Sequence, residues 1–483
     1  MRRLPPWSRP LAVAAVAVLL SACRGNAGLG PTSGLPAAEF RARAASVERL
    51  GKPTGKIQHV VVIVQENRSL NNLFNGYPGA KTQSYGYIST GQKVTLEPVT
   101  LATTWDLQHN GEGFIRSCNG SKTKPGSDCK MNGFDLQKWY CGTGSEPKCP
   151  DKYPPYSYVP HNEVKPYFDM AHQYVLADEM FASDFDTSSF ISHQYIIAAV
   201  NPDSSADYPE TAWGCPGGNS DKIDELGKNR SFLLNKLVPC WNPKSLTLAD
   251  ELDHKDISWA YYASPVNGTG GKPCGGGASN DVSKGRAGIW SAYQAIKHIC
   301  YGPDWDADVV SPSSKFLTDI TSNLRSVTWI TPTYANSDHG GSGSTSGPSW
   351  VASVVNAIGE SPYWDSTAIF IFWDDSGGWY DPAAPDYLDN DGLGFRLPLV
   401  VISPYAKQGY VSHVHYEHGS ILKFIEDQFG LARLAASDTR AKSPEADCFN
   451  FKQQPRKFTP IKAHYDRSYF LNQPLDLRPP DSD

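Results

Sequence analysis

The chain has 483 residues and a formal net charge of −6 at pH 7, long enough for one large α/β domain or two smaller ones. Its mild acidity argues against a nucleic-acid partner. No internal repeat or low-complexity tract appears, which leaves one large, aromatic-rich globular unit with long loops.

Taken in chain order, Arg2 and Arg3 precede an apolar run at 11–20, too short to span a bilayer comfortably. The run reads as a secretory signal. Its end, Leu20-Ser21-Ala22-Cys23, resembles the lipobox of bacterial lipoproteins, where cleavage leaves Cys23 as a lipidated N-terminus; an ordinary signal peptide with Cys23 incidental is the alternative. The expectation is a signal over 1–23, a Gly-, Ala-, Pro- and Ser-rich tether over 24–52 and a single domain over 53–483. Such a protein is exported and held at the bacterial cell envelope, in the periplasm or on the surface. The ten cysteines agree with export: none has the paired CxxC spacing of a zinc site, so disulfides are the expected use. With Cys23 lipidated, the remaining nine leave at least one thiol unpaired in a monomer.

Residues 57–65, IQHVVVIVQ, predict the first strand, apolar on both faces. Glu66 and Asn67 follow it directly and offer the hard oxygen donors that a divalent cation prefers; the alternative is that they cap the next turn. Within 181–200, a cluster of small polar residues opens a predicted helix carrying Phe190, Tyr195, Ile196 and Ile197. A Ser or Thr there is ordinarily an N-cap, but a helix N-terminus also binds anions through its free amides. Residues 367–373, TAIFIFW, predict a second buried strand, and Asp374 and Asp375 stand at its end. Adjacent carboxylates repel unless a cation or a proton lies between them. In α/β sheets, ligands gather at the carboxyl ends of the strands, so both strand ends point to one metal site.

Several blocks together resemble a family of bacterial phosphoesterases that includes phosphatidylcholine-type phospholipases C and an acid phosphatase that inhibits the respiratory burst. They are VVVIVQENRSLNNLFNGYPG at 60–79, Asp106-Leu107-Gln108-His109, the 180–195 segment, AYQAIKHICYGPDW at 292–305, WITPTYANSDHG at 329–340, WDDSGGWYD at 373–381, LPLVVISPYAKQGYVSH at 397–413 and YEHGSILKFIEDQFGL at 416–431. The resemblance implies an alkaline-phosphatase-like α/β fold: a central, mostly parallel sheet, helices on both faces and long disulfide-containing insertions near 111–153 and 201–242. It also implies that Glu66, Asn67, Asp374 and Asp375 hold a divalent metal ion and that Ser189 is the nucleophile, with Thr187 and Ser188 as alternatives in a shifted register. His109, His339 and, less directly, His298 are implied at the phosphoryl group. His418 supports the site from behind, and Ser420 caps the helix that follows. Two departures lie near this chemistry. Asp381-Pro382-Ala383 replaces the family's Asp-His-Val, and Ile191-Ser192 replaces its Pro-Asn.

The resulting expectation is a phosphoric ester hydrolase of the phospholipase C or acid phosphatase type. A phosphate ester or phospholipid is its substrate, a phosphoserine its intermediate, and the membrane its partner through the lipid anchor. Two rivals stand beside it. One is a surface binding protein that keeps the fold without catalysis. The other is a serine carboxylesterase, although the nearest G-x-S-x-G spelling, Gly343 to Gly347, has Thr345 at its centre.

Overall fold

The computed structural model describes residues 55–141, 152–185, 188–200, 205, 214–220, 222–242, 247–264, 274–275 and 290–478. The expectations for residues 1–52, lipidation of Cys23 among them, lie outside these residues, as do Cys149 and Thr187. All the described residues belong to one compact unit, Leu50–Asp483.

Nine strands form the central sheet. In chain order they are β1 (His59–Gln65), β2 (Val175–Phe181), β3 (Trp259–Tyr262), β4 (Val309–Val310), β5 (Val327–Ile330), β6 (Thr367–Trp373), β7 (Arg396–Ile402), β8 (Tyr410–Ser412) and β9 (Tyr416–Glu417). Their spatial order is β4-β3-β5-β1-β6-β7-β2-β8, with β9 also paired to β2. Only β7 runs antiparallel to its neighbours. The mostly parallel α/β fold expected from the sequence is therefore present. β6 coincides with its predicted bounds, whereas β1 begins two residues late, because Gln58 instead donates its N–H to the Ser366 carbonyl.

Parallel strands are buried on both faces and need cover on each. Five helices shape the surroundings of the site: α1 (Gly111–Cys118), α2 (Lys165–Gln173), α3 (Ser189–Ala198), α4 (Gly347–Gly359) and α5 (His418–Phe429). Alternation along β6 assigns two of them to opposite faces. Phe370 meets Phe424 of α5, and Phe372 meets His418 at its start. Trp373, one residue on, meets Tyr167 of α2. Ser420 accepts the N–H of Glu417 at 3.0 Å and closes a capping box at the head of α5, the capping role expected of it.

Disulfides join Cys118 to Cys129, Cys215 to Cys240 and Cys274 to Cys300, and Cys141 is also disulfide-bonded. Cys448 is the free thiol among the described residues. Burial pushes that thiol up to about 12, so it is inert. No helix among the described residues is long and apolar enough to cross a membrane.

Candidate active site

β1 and β6 are neighbours in parallel register, with Gln65 opposite Trp373. Glu66-Asn67 and Asp374-Asp375 therefore leave the sheet side by side, and all four side chains are fully buried. Asn67 sits at φ 60°, a left-handed conformation that Asn tolerates better than most residues. This turn brings its N–H to Asp374 Oδ1 at 2.9 Å. Asp375 Oδ1 accepts the N–H of Gly377 at 2.6 Å. Gly377 must be glycine: its φ is 58°, and a Cβ there would lie 2.1 Å from the Asn67 carbonyl oxygen.

β2 ends near the same edge, and the chain then enters α3. Ser188 is the N-cap and Ser189 the first helical residue. The Ser189 hydroxyl thus has no capping duty and lies 3.3 Å from both Asn67 Oδ1 and Asp375 Oδ2. An α-helix leaves its first-turn amides without intrahelical partners, so α3 adds a positive end at this point.

His193 is a residue that sequence reasoning passed over. Four positions after Ser189, it lies on the same helical face, and its Nε2 donates to Glu66 Oε1 at 3.1 Å while standing 3.8 Å from Asp374 Oδ2. Burial lowers His193 to about 4, against the pull of Asp374, so the ring is neutral near neutral pH. The i, i+4 spacing was the signal that could have found it. His418 is buried against Phe372, within the electrostatic reach of Asp374, and is likewise lowered to about 4 by burial.

Asp374 Oδ2 is buried and has no hydrogen-bond partner among the described residues. An unpaired buried carboxylate oxygen is costly. A cation would relieve that cost, and the Asp374, Glu66 and His193 ligand atoms lie within 4.8 Å of one another. The donor set of three buried carboxylates, Glu66, Asp374 and Asp375, and the Asn67 amide oxygen therefore fits a divalent ion.

His109 and His339 are also brought to this place. The His109 Nδ1–H donates to the Leu107 carbonyl at 2.7 Å, which leaves Nε2 to accept from Asn67 Nδ2 at 2.8 Å. This network assigns the tautomer. It also turns the Asn67 amide so that Oδ1 faces Ser189, and His109 therefore fixes the direction of that oxygen. The His339 ring lies 5.6 Å from that of His109, its Nδ1 3.7 Å from Asp106 Oδ2 and in contact with the Gly340 carbonyl. His298 is not brought in. Its Nε2 pairs with Asp250 at 2.7 Å, its side chain is 41% exposed, and its contacts do not include the cluster.

Three buried charged groups brace the site. The Arg68 guanidinium, which the ENRS stretch gives no obvious task, lies over Trp379 and donates to the Asp338 carbonyl at 2.8 Å and the Leu101 carbonyl at 3.2 Å. Asp338, at φ 71°, accepts from Tyr167 at 2.6 Å and Trp373 at 3.2 Å, which anchors the turn presenting His339. Asp381 binds Arg396 Nε at 3.0 Å and the N–H groups of Asn71 and Ala383. The Asp381-Pro382-Ala383 departure thus retains a carboxylate strut between the loop after β6 and the start of β7.

Comparison with known proteins places the chain in a family. A family model described as Phosphoesterase family matches residues 57–432. The chain is similar to non-specific phospholipase C1 of Arabidopsis thaliana, at 23% identity over 457 residues, covering 85% of this chain and 74% of the relative. It is also similar to hemolytic phospholipase C of Pseudomonas aeruginosa, at 31% identity over 429 residues, covering 78% of this chain and 53% of the relative. A solved alkaline phosphatase superfamily protein from Vibrio parahaemolyticus overlaps 80% of this chain and 69% of its own, at 10% identity and a TM-score of 0.34. At that score the overlap fixes no residue correspondence.

Proposed function

This chain belongs to the Phosphoesterase family, and from that premise we propose that it is an exported, metal-dependent phosphoric ester hydrolase that works through a phosphoserine at Ser189. The observation that carries the reading is the contact of one hydroxyl with two oxygen donors from different strand ends: Ser189 Oγ is 3.3 Å from Asn67 Oδ1 and 3.3 Å from Asp375 Oδ2.

Glu66, Asn67, Asp374 and Asp375 would hold the divalent ion, with His193 beside them. A bound ion supplies Lewis acidity, lowering the pKa of a nearby hydroxyl and screening charge on the phosphoryl oxygens. The chain's own residues do the rest. Asp375 Oδ2 accepts the Ser189 proton as Oγ attacks phosphorus. The first-turn amides of α3 bind the charge that develops on the phosphoryl oxygens. His109 keeps the Asn67 amide turned toward Ser189. His339, whose ring lies 5.6 Å from that of His109 and whose Nδ1 lies 3.7 Å from Asp106 Oδ2, is the group assigned to protonate the departing alcohol oxygen. Water then hydrolyses the phosphoserine.

The relatives named phospholipase C favour a phospholipid substrate, with a soluble phosphomonoester as the second reading. Purified protein assayed on phosphatidylcholine and on p-nitrophenyl phosphate separates them: phosphocholine release supports the lipase reading, and p-nitrophenol release alone supports the monoesterase. Hydrolysis of acyl esters without phosphoester cleavage would replace both with the carboxylesterase.

A further inference from the structure

Four large apolar side chains close to the site are open to solvent: Tyr87, Leu136, Trp139 and Tyr140, all between 36% and 45% exposed. Ser89 links the first to the second, donating from its N–H and hydroxyl to Asp135 at 2.9 and 2.7 Å. Trp139 and Tyr140 belong to a two-stranded ribbon in which Leu107 is opposite Trp139 and Asp106 opposite Tyr140. The other strand of that ribbon runs within two residues into His109, and Asp106 reaches His339 at 3.7 Å. The patch is thus built on the same ribbon that delivers the site's histidines.

Exposed apolar patches of this kind mark interaction surfaces, and the flanking charges discriminate between partners. Lys93 is opposite Tyr87 in its hairpin, with its Nζ 3.5 Å from the Tyr85 ring centroid. Lys138 precedes Trp139 and is 58% exposed, with a screened contact to Glu112 at 3.9 Å. Lysine is depleted at protein–protein interfaces. Tryptophan, tyrosine and lysine together are the composition of a surface that lies in the headgroup region of a bilayer. We propose that this corner is where the enzyme seats on a phospholipid bilayer, with Leu136 and Trp139 at headgroup depth and Lys93 and Lys138 against lipid phosphates. The proposal rests on the phosphoesterase reading of the adjacent site, since seating there sets the ribbon that leads into His109 beside the lipid surface.

The test is quenching of tryptophan emission by vesicles of acyl-brominated phosphatidylcholine containing a minority of phosphatidylglycerol. It uses the full-length protein and its Trp139→Phe and Leu136→Asp variants. All three share one N-terminus, so any lipid anchor contributes equally. Wild-type emission is expected to be quenched, with most of the quenching lost in Trp139→Phe and reduced severalfold in Leu136→Asp, while turnover of p-nitrophenyl phosphate stays unchanged. Equal quenching in all three proteins overturns the docking surface. Because quenching needs no turnover, that failure is distinct from the failure of the hydrolase reading, which appears as a wild type inactive on every phosphoester.

Discussion

The Ser189 hydroxyl donates to Asp375 Oδ2 at 3.3 Å although 186 positions separate them in the chain. The contact joins the first turn of α3 to the end of β6, where a carboxylate can take the proton of an attacking hydroxyl. Ser189→Ala is therefore expected to reduce turnover by roughly 10³-fold or more with an unchanged melting temperature. Acid-quenched wild type should carry phosphate on Ser189, read by mass spectrometry, and the variant should carry none.

Asn67 has two separable duties, and two substitutions divide them. Asn67→Gly keeps the φ 60° turn but removes the amide, so it should lose activity and little stability. Asn67→Ala should lose the same activity and a further ~1 kcal/mol, because a Cβ is strained in the left-handed region. Equilibrium unfolding of both variants beside their kinetics checks the pair.

His298 is expected to be a surface ion-pair partner. Its hydrogen bond to Asp250 raises its pKa above the ordinary 6.5, although partial burial opposes this. Folding then favours the imidazolium. Its contribution is complete below 6.5 and fades as pH climbs through the raised value. At this half-exposed position it is no more than roughly 0.5 kcal/mol. His298→Asn should be slightly less stable than wild type near pH 5.5, equal to it near pH 8.5, and as active throughout. A large loss of turnover would return His298 to the chemistry.

Disulfides Cys215–Cys240 and Cys274–Cys300 close separations of 25 and 26 residues. Chain-entropy reasoning gives each roughly 3 kcal/mol. Reduction should lower the melting temperature by several degrees, and the measurement is thermal unfolding with and without a phosphine reductant.

The strands that carry the site were legible because buried parallel strands read as unbroken apolar runs, and the oxygen donors came directly after them. That β1 and β6 are neighbours was not legible from periodicity, since a parallel pairing between segments some 300 residues apart leaves no local trace. Resemblance to a family implied only that the residues after the two strands share one ion. His193 was missed because a polar residue in an otherwise apolar helix reads as packing until Ser189 is taken as the reference point of its face. His298 was drawn in because it lies in a family-like block, and the sequence does not reveal that Asp250 claims its ring. The roles of Arg68, Asp338 and Asp381 as buried braces depend on partners far along the chain.

Metal content and turnover, measured on one preparation, test the cation directly. Wild-type protein is expected to hold a divalent ion, to lose phosphoester hydrolysis when a chelator strips it, and to recover when the ion is returned. Asp374→Asn is expected to hold no ion and to be inactive. Full turnover by wild-type protein proven free of metal would contradict the role assigned to Glu66, Asn67, Asp374 and Asp375.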